Sequence, residues 1–526
     1  MNFNKKLAVA VSSAVLLMAG QSALADSATD IVDALVSKGV LTEEEGKLIT
    51  KGHTSKTAVT PVVKEKDGAF ILKSANARNS IQLTGRMHLD YRDIDSDGMT
   101  SGAGANALTS FDKDTASSAN QYELRRARLG FKGKFAKHFN YEVVGNLPGT
   151  ATIDIAYLDF AKYDKIQLRV GKFKQPWGLE QLTSSNNIDF MERSYVDQTA
   201  PGKKLGTMIF GEVTPGVTYA GSAFQMNDTE NDISSEDMSY AGRTTINFAE
   251  LAGNKDAILH VGLAGYNNSW SVRPTSSSGS GGASTSGTLL SYRTPGRGLN
   301  NIFRAQIQGS SMSANVQNGA SDTTASVDSK AYGLEAIAAY NSFKVQGEFT
   351  KGDYKANYLD SASVSLDNQA YYGEVMWLVS GEKYSSAYKK GTFSSIKPLK
   401  DFDLENFSGL GAWELGLRYE SYKVDNGNSV GVTGTGPTTT NTATRFQGNL
   451  NCNGVTGNAF TSTQSNCSSG ADTWTAGIKW IINPNVMLKS AYSRTTYDNP
   501  WAHFDIVGGG IMKHEDLLSV RTQFAF

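Results

Sequence analysis

Positively charged residues recur at every second position in one stretch of this sequence, a spacing suited to binding a solute of opposite charge. Within residues 122–135, the even positions after 125 are Arg126, Arg128, Gly130, Lys132 and Lys134. The odd positions from 127 onward are Ala127, Leu129, Phe131, Gly133 and Phe135. Because successive strand residues point to opposite faces, one face is cationic and the other is apolar or small. A soluble sheet and a transmembrane barrel both show this alternation, and in a barrel the cations would line a channel for anions.

The length and charge of the chain narrow the class of protein without deciding it. Its 526 residues fit several soluble domains or one large barrel. The formal net charge is −1, and loss of the first 25 residues, which hold two lysines and no acid, would leave −3. This balance gives no basis for binding nucleic acid or an anionic membrane. An anion preference must therefore come from where the cations are placed.

The N-terminus predicts export from the cytoplasm. Two lysines precede an apolar run at 7–19, and Ala23-Leu24-Ala25 fits a cleavage site, so residues 1–25 are predicted to be a signal peptide. The apolar run is shorter than the ~20 residues that a spanning helix needs, and no later segment is long enough. A membrane protein without such helices must be a closed barrel.

The next two segments differ from the rest of the chain. Residues 26–52 predict two short helices, the second opened by a Thr42-x-x-Glu45 capping box. They form either a periplasmic coil that associates with partner copies or a loosely packed preface to the barrel. Residues 53–79 are predicted to be a polar linker.

From residue 80 to residue 526 the dominant period is two, which predicts an all-β antiparallel barrel. Alternation of this kind is clear at 81–91, 413–420 and 473–482, and charge stays on one face. The final strand alternates Leu518, Val520, Phe524 and Phe526 with polar residues, and it resembles the terminal strand of outer-membrane barrels. Long polar segments at 95–120, 175–203, 267–328 and 425–470 alternate with short turns, and the count of strands is about 16.

Several stretches, in order along the chain, resemble the phosphate-selective porin O and P family of Gram-negative outer membranes. They are LTGRMHLDY around Arg86, LRRARLGFKG around Arg125 and Arg126, GKFKQPWGLEQLTSSNNIDFMER at 171–193, GEVMWLVSGEKY at 373–384, IKP at 396–398 and GAWELGLRYESYKVD at 411–425. The resemblance implies a trimer of 16-stranded barrels in the outer-membrane lipid. It also implies a narrow pore that selects inorganic anions such as phosphate.

The resemblance further implies a constriction formed by segment 175–203, folded into the lumen. Matching the family's central site would bring together Arg125, Arg126, Asp154, Ser184 and Ser185, with Arg86 and Arg128 also lining the pore. Guanidinium groups present forked donors that fit phosphate oxygens, and hydroxyls add directed donors. Asp154 would bond a protonated phosphate oxygen or hold the arginines in place.

Other cations are assigned by the same resemblance. A ladder leading to the constriction would include Arg273, Arg293, Arg297 and Arg304. An exit vestibule would include Lys132, Lys134, Lys383, Lys389, Lys390 and Lys397, although each lysine alone also fits a solvated surface. One departure is Gln181, because the family pattern carries a lysine after Gly-Leu-Glu. Its absence favours a broader anion pore or a different oxyanion.

The two cysteines, Cys452 and Cys467, lie 15 residues apart in a loop of an exported chain, which predicts a disulfide. No cofactor is indicated. A metal site would need more ligands than two cysteines without a nearby histidine. The acidic run Asp93-x-Asp95-x-Asp97-Gly98 lacks the glutamate of an EF-hand at its twelfth position, so a weak rim cation site or a solvated turn remains.

Three other functions compete with an anion-selective channel. Residues 427–431 match G-x-S-x-G but lie in a Gly/Thr-rich loop without the strand–turn–helix setting of hydrolases, so no enzyme is predicted. A general diffusion porin would show no saturation by phosphate. A surface adhesin or receptor barrel would use the long polar loops to hold a partner.

Overall fold

The computed structural model describes residues 25–38, 40–49, 60–66, 68–95, 121–226, 238–272, 287–296, 301–307, 325–358, 362–403, 405–430, 444–460, 463–502 and 511–526. Within these ranges, sixteen strands form one closed antiparallel barrel, which confirms the predicted fold class. None of the helices in the same ranges has the length and hydropathy needed to cross a bilayer. Residues 1–24 of the predicted signal peptide lie outside the described ranges.

The barrel strands follow one another around the wall in chain order. They are β3 (Ser80–Asp95), β4 (Gln121–Phe135), β5 (Phe139–Asn146), β6 (Thr152–Tyr163), β7 (Ile166–Lys174), β8 (Lys203–Thr214), β9 (Val217–Phe224), β10 (Ser239–Asn247), β11 (Ala257–Val272), β14 (Ala325–Tyr340), β15 (Phe343–Tyr358), β16 (Ala362–Leu378), β19 (Ala412–Val430), β22 (Gln464–Ile481), β23 (Val486–Ala502) and β24 (Ile511–Ala525). Strand β24 pairs with β3, so no edge of the sheet is left open. The terminal Phe526 exchanges two backbone hydrogen bonds of 3.1 Å with Gly85, next to this seam.

The period of two places apolar side chains outside and polar ones inside. On β4, Leu129 and Phe131 are 44% and 41% exposed on the outer surface, whereas Arg126 is only 7% exposed. A β-bulge interrupts the pairing with β3: His88 lies opposite Arg126 and Leu89 opposite Leu124, which leaves Arg125 as the extra residue. The bulge allows the adjacent Arg125 and Arg126 both to face the lumen.

The segment before the barrel contains more structure than the sequence predicts. A helix spans Ala25–Ser37 and a second spans 43–49, opened by the predicted capping box, in which Glu45 N–H donates to Thr42 Oγ1 at 3.2 Å. The prediction of a polar linker at 53–79 is wrong for two strands, β1 (Val62–Lys66) and β2 (Ala69–Lys73). Strand β2 pairs with β3, because its AFILK sequence has strand-forming side chains and the start of β3 offers free backbone groups.

The two ends of the barrel differ in their connections. One end carries short turns, including 136–138, 164–165, 215–216, 341–342 and 482–485. The prediction that this end carries only short turns is wrong for residues 379–411, named here the turn-side segment. It contains the helical turn Tyr384–Ala387 and the small hairpin β17 (Tyr388–Lys389) and β18 (Thr392–Phe393). A further helical turn, Phe248–Leu251, lies between β10 and β11.

The opposite end carries the long loops, and the described residues of two of them include strands. Strands β12 (Gly287–Tyr292) and β13 (Phe303–Ile307) lie within the predicted loop 267–328, and β20 (Thr444–Cys452) and β21 (Val455–Phe460) lie within 425–470. Strand β13 pairs with β20, and Cys452 and Cys467 form a disulfide that joins β20 to β22. These strands and the barrel wall enclose a buried aromatic core around Tyr195, Tyr292 and Tyr422.

Candidate functional site

Residues 175–202, named here the inner loop, connect β7 to β8 and lie inside the barrel. The loop contains the helical turn Leu179–Leu182 and the 3-10 helix Tyr195–Thr199. Its side chains, backbone N–H groups and carbonyls bond to inward-facing residues of β15, β19, β22, β23 and β24, on the opposite side of the barrel from the strands that the loop connects. The lumen is therefore filled on that side and left open beside β3–β10.

Glu192 is the most heavily bonded carboxylate of the inner loop. Its Oε1 accepts hydrogen bonds from Arg125 at 2.9 Å, Arg521 at 3.0 Å and Arg92 at 3.2 Å. Asp90 also pairs with Arg521 and Arg92, so three guanidinium groups and two carboxylates form one buried cluster. The cluster joins the first barrel strand, β3, to the last barrel strand, β24, and to the inner loop.

Two further carboxylates anchor the loop to the far wall. Glu180 accepts a hydrogen bond from Arg418 at 3.2 Å, and burial raises the pKa of Glu180 to about 7. Asp189 accepts one from Lys344 at 2.7 Å and lies 3.5 Å from Lys479. Burial opposes ionisation of Asp189, but the two ammonium groups hold its pKa below its usual range. Side chains of the wall thus bind the loop by charge as well as by backbone contacts.

Two adjoining cavities occupy the space that the inner loop leaves open. The larger has a volume of about 680 Å³ and lies between the loop and strands β3–β10. The smaller has a volume of about 510 Å³. It extends to residues 483–487, at the end of the barrel that carries the short turns, and to the C-terminal Phe526. Arg86, Glu142 and Ser184 line both cavities, so the two cavities meet at these three residues, and this junction is named here the narrowing.

Arg86 at this narrowing and Arg126 beside it on the larger cavity are the least neutralised arginines of the passage. Arg86 donates hydrogen bonds to Ser185 Oγ at 3.0 Å and to Ser184 Oγ at 3.4 Å. Arg126 lies 3.5 Å from His88 Nδ1. Among the described residues, neither guanidinium has a carboxylate within 4.0 Å. Their charge is therefore available to an anion in the passage, with hydroxyl groups beside it.

Asp154 holds neighbouring cations in place. Its carboxylate pairs with Arg128 at 2.9 Å and also with Lys203. Arg128 donates a further hydrogen bond to Asn146 and lines the larger cavity. Of the two roles that the sequence left open for Asp154, this geometry matches the structural one, because both of its neighbours are cations.

Arg125 differs from its expected position at the central site. It binds both oxygens of Glu192, at 2.9 and 3.2 Å, and lines neither cavity. The grouping of Arg125 with Ser184 and Ser185 is therefore wrong: the bulge directs this side chain to the loop's anchor instead of the passage. Arg126, Ser184 and Ser185 do lie together on the larger cavity.

Sequence reasoning missed Lys174, at the end of β7. Its ammonium group donates to the carbonyl oxygens of Gln181, Leu182 and Thr183, the last at 3.1 Å, and it lines the larger cavity. A cation thus lies beside Gln181, although Gln181 itself is uncharged. Arg193, which donates to Glu180 O and Thr183 O at 2.8 Å, also lines this cavity. No local pattern signalled Lys174, because Gln167, Arg169 and Phe173 are the inward-facing residues of β7 and the alternation alone would place Lys174 on the outer face.

Only part of the predicted arginine ladder lies within the described residues. Arg273 and Arg297 lie outside the described residues. Arg293 donates to Asn301 Oδ1 at 2.8 Å, and its backbone binds Gln198 of the inner loop, so it packs behind the loop. It is not among the residues that line either cavity.

The predicted vestibule lysines are scattered over the turn end. Lys132 lines the smaller cavity, and Lys390 lines the larger one while pairing with Glu212 at 3.2 Å. Lys134 and Lys389 are exposed and line neither cavity, and Lys383 pairs with Asp256 on the surface at 2.8 Å. A single vestibule formed by all these lysines is therefore wrong.

The turn-side segment also enters the lumen. Tyr388 OH lies 2.7 Å from His260 Nδ1, and His260 Nε2 lies 2.8 Å from Glu335. Arg243 donates to the same Glu335 and to the carbonyl oxygen of Gly391, at 2.7 Å for the carbonyl. Buried polar groups of the wall thus hold this segment as other groups hold the inner loop.

The motifs that would indicate other chemistry lie only partly within the described residues. Gly427–Val430 belong to strand β19, and residues 431–443, which begin with the last glycine of the motif, are outside the described ranges. Asp97 and Gly98 of the acidic run also lie outside them. Within the described ranges, no group of three His, Cys, Asp or Glu side chains could hold a metal ion.

A closed sixteen-strand barrel with an apolar exterior, a loop inside and a cation-lined passage defines a porin, a channel of the bacterial outer membrane and not an enzyme. The model of the family described as phosphate-selective porin O and P matches residues 81–526, and the chain belongs to this family. The resemblance inferred from the sequence motifs is thereby confirmed.

Individual relatives are distant. Porin O of Pseudomonas aeruginosa is 23% identical over 452 residues, which cover 83% of this chain and 87% of that protein. The loop L8 deletion mutant of OmpT from Vibrio cholerae is 8% identical, covers 85% of this chain and 100% of that chain, and gives a TM-score of 0.45. DcaP of Acinetobacter baumannii is 10% identical, covers 86% of this chain and 99% of that chain, and gives 0.41.

Proposed function

We propose that this porin is an anion-selective channel whose solutes are phosphate or related oxyanions. The observation that carries the proposal is the pair Arg86 and Arg126, which have no carboxylate within 4.0 Å among the described residues and lie at or beside the narrowing. Ser184 and Ser185 add hydroxyl groups at the same point. Charge-assisted hydrogen bonds from such groups stabilise an oxyanion that has lost part of its water.

Simple electrostatics supports the use of few arginines. A pair of unit charges 4 Å apart interacts by about 4 kcal/mol at an effective dielectric constant near 20. Two guanidinium groups therefore suffice to attract a monovalent anion. Weaker positions along the larger cavity are offered by Arg128 and Lys203, which share Asp154, and by Lys174, which donates to three carbonyl oxygens. Several weak positions in series allow the anion to leave, which conduction requires.

Wild-type channels in planar bilayers should give an anion-selective reversal potential in asymmetric KCl, because the two guanidinium groups of Arg86 and Arg126 outweigh the single carboxylate of Glu142 at and beside the narrowing. Added phosphate should reduce the chloride current and the reduction should saturate. A cation-selective reversal potential would contradict the proposal. Block that grows without saturation would favour a general diffusion porin instead.

We also propose that the protein is exported with a cleaved signal peptide and that it assembles as a homotrimer. Family membership supports it, and so does the uneven height of the wall: β5 and β9 have 8 residues each, whereas β19 has 19. A strand needs about 9–11 residues to span a bilayer, so a neighbouring copy packed against the low side would shield its rim from lipid. Light scattering of the detergent-solubilised protein should give three chains per particle, and a monomer would contradict this part.

A further inference from the structure

The larger cavity is not uniformly polar, and its two sides differ in chemistry. One side, contributed by β3, β4 and the inner loop, carries Arg86, Arg126 and Arg193. The other side is formed by Ile155, Tyr157, Phe173, Pro176, Met208 and Phe210, contributed by β6, β7, β8 and the start of the inner loop. An inorganic ion gains nothing from such an apolar surface, because it has no apolar area to remove from water.

The arginine on this second side does not make it cationic. Arg169 binds both oxygens of Asp159, at 2.6 and 2.8 Å, so its charge is neutralised. Its guanidinium carbon lies 3.7 Å from the centroid of the Tyr157 ring and 5.2 Å from that of Phe210. The guanidinium thus packs over the rings, and together they give this side of the cavity an aromatic and guanidinium lining without net positive charge. Flat aromatic and guanidinium surfaces are suited to stacking against a planar group.

Tyr157 is also satisfied without a solute. Its hydroxyl donates to Glu142 Oε2 at 2.7 Å. Glu142 lines the same cavity beside Tyr157 and also reaches the narrowing, so its negative charge disfavours an anionic group near Tyr157, whereas beside Arg86 and Arg126 two positive charges outweigh it. The cavity thus offers one position for an anionic group and a different position for an apolar group.

We infer that the larger cavity binds organic anions that combine one carboxylate with an aromatic ring, with the carboxylate at Arg86 and Arg126 and the ring against Tyr157, Met208 and Phe210. A cavity of about 150 Å³ holds benzene, so about 680 Å³ has room for the ring, the carboxylate and its water. This inference rests on the proposed anion selectivity and names a class of solute for the same channel.

The test compares two carboxylates at pH 7 in planar bilayers with the full-length protein. Benzoate should half-block the chloride current at a concentration about tenfold lower than acetate, because only benzoate removes a ring from water; tenfold corresponds to about 1.4 kcal/mol. Phe210→Ala and Met208→Ala, measured separately, should each lower this benzoate-to-acetate ratio severalfold. Ile209→Ala changes the neighbouring position, whose side chain is exposed on the outer surface, and should leave the ratio unchanged.

The outcomes separate the two proposals. Equal half-blocking concentrations for benzoate and acetate, with an anion-selective reversal potential, would overturn the organic-anion inference and leave the proposed function intact. A ratio that stays at the wild-type value in both the Phe210 and the Met208 variants would overturn the assigned position of the ring. A cation-selective reversal potential would overturn the proposed function itself.

Discussion

Arg126→Ala should raise the phosphate concentration that half-blocks the chloride current by roughly 10- to 100-fold. The guanidinium lines the larger cavity, and no described carboxylate lies within 4.0 Å of it, so an anion replaces no existing ion pair. Hydrogen bonds to charged groups contribute about 1.5–3 kcal/mol, which corresponds to this range of concentrations. Current block by phosphate in planar bilayers measures the effect directly.

A matched control removes the same charge elsewhere on the barrel. Arg494 lies on β23, pairs with Asp516 at 3.6 Å, and its side chain is 51% exposed. Arg494→Ala should therefore leave phosphate block unchanged. If Arg126→Ala also leaves it unchanged, Arg126 does not belong to the anion site, and the role assigned to the narrowing fails with it.

Glu192→Ala should increase single-channel conductance and current noise by releasing the inner loop. Three arginines share this buried carboxylate, and removal of one partner from a buried ion pair costs about 3–5 kcal/mol. A cost of this size raises the population of a displaced loop by more than about a hundredfold. The released arginines would add positive charge to the lumen, so anion selectivity should persist while the passage widens. Conductance in symmetrical KCl measures the widening.

Two comparisons make this result interpretable. Glu192→Gln keeps an oxygen acceptor and should have a smaller effect than Glu192→Ala. Asp256→Ala breaks an exposed pair with Lys383, a type of pair worth about 0–1 kcal/mol, and should leave conductance as in the wild type. Unchanged conductance in Glu192→Ala would mean that Asp189 and Glu180 alone hold the loop.

The strands of the barrel wall could be predicted from local sequence, because the alternation within each strand shows which face is apolar and which is polar. The alternation around Arg126 and Leu129 identifies the lumen and lipid sides without knowledge of any partner strand. The position of the inner loop after the fifth barrel strand follows from counting strands. These features depend on residues close together in the chain.

The contacts of the candidate site could not be predicted in this way, because they join residues that are far apart in the sequence. Arg418 reads only as a polar residue on an inward face, yet it binds Glu180, 238 residues earlier. Arg125 reads as a pore residue until its pairing with β3 reveals the bulge that turns it toward Glu192. The turn-side segment was missed for a similar reason, since its anchors His260, Arg243 and Glu335 lie on three other strands.

The buried cluster around Glu192 has a consequence for how the barrel is assembled. Asp90 on the first barrel strand lies directly opposite Arg521 on the last, 431 residues away, and their side chains bond at 2.6 Å. A strand misaligned by two residues would separate this pair, and a loop left outside would deprive the same arginines of Glu192. One set of charges therefore stabilises both the correct register between the first and last barrel strands and the insertion of the inner loop. A barrel closed in the wrong register would also fail to bind its inner loop correctly.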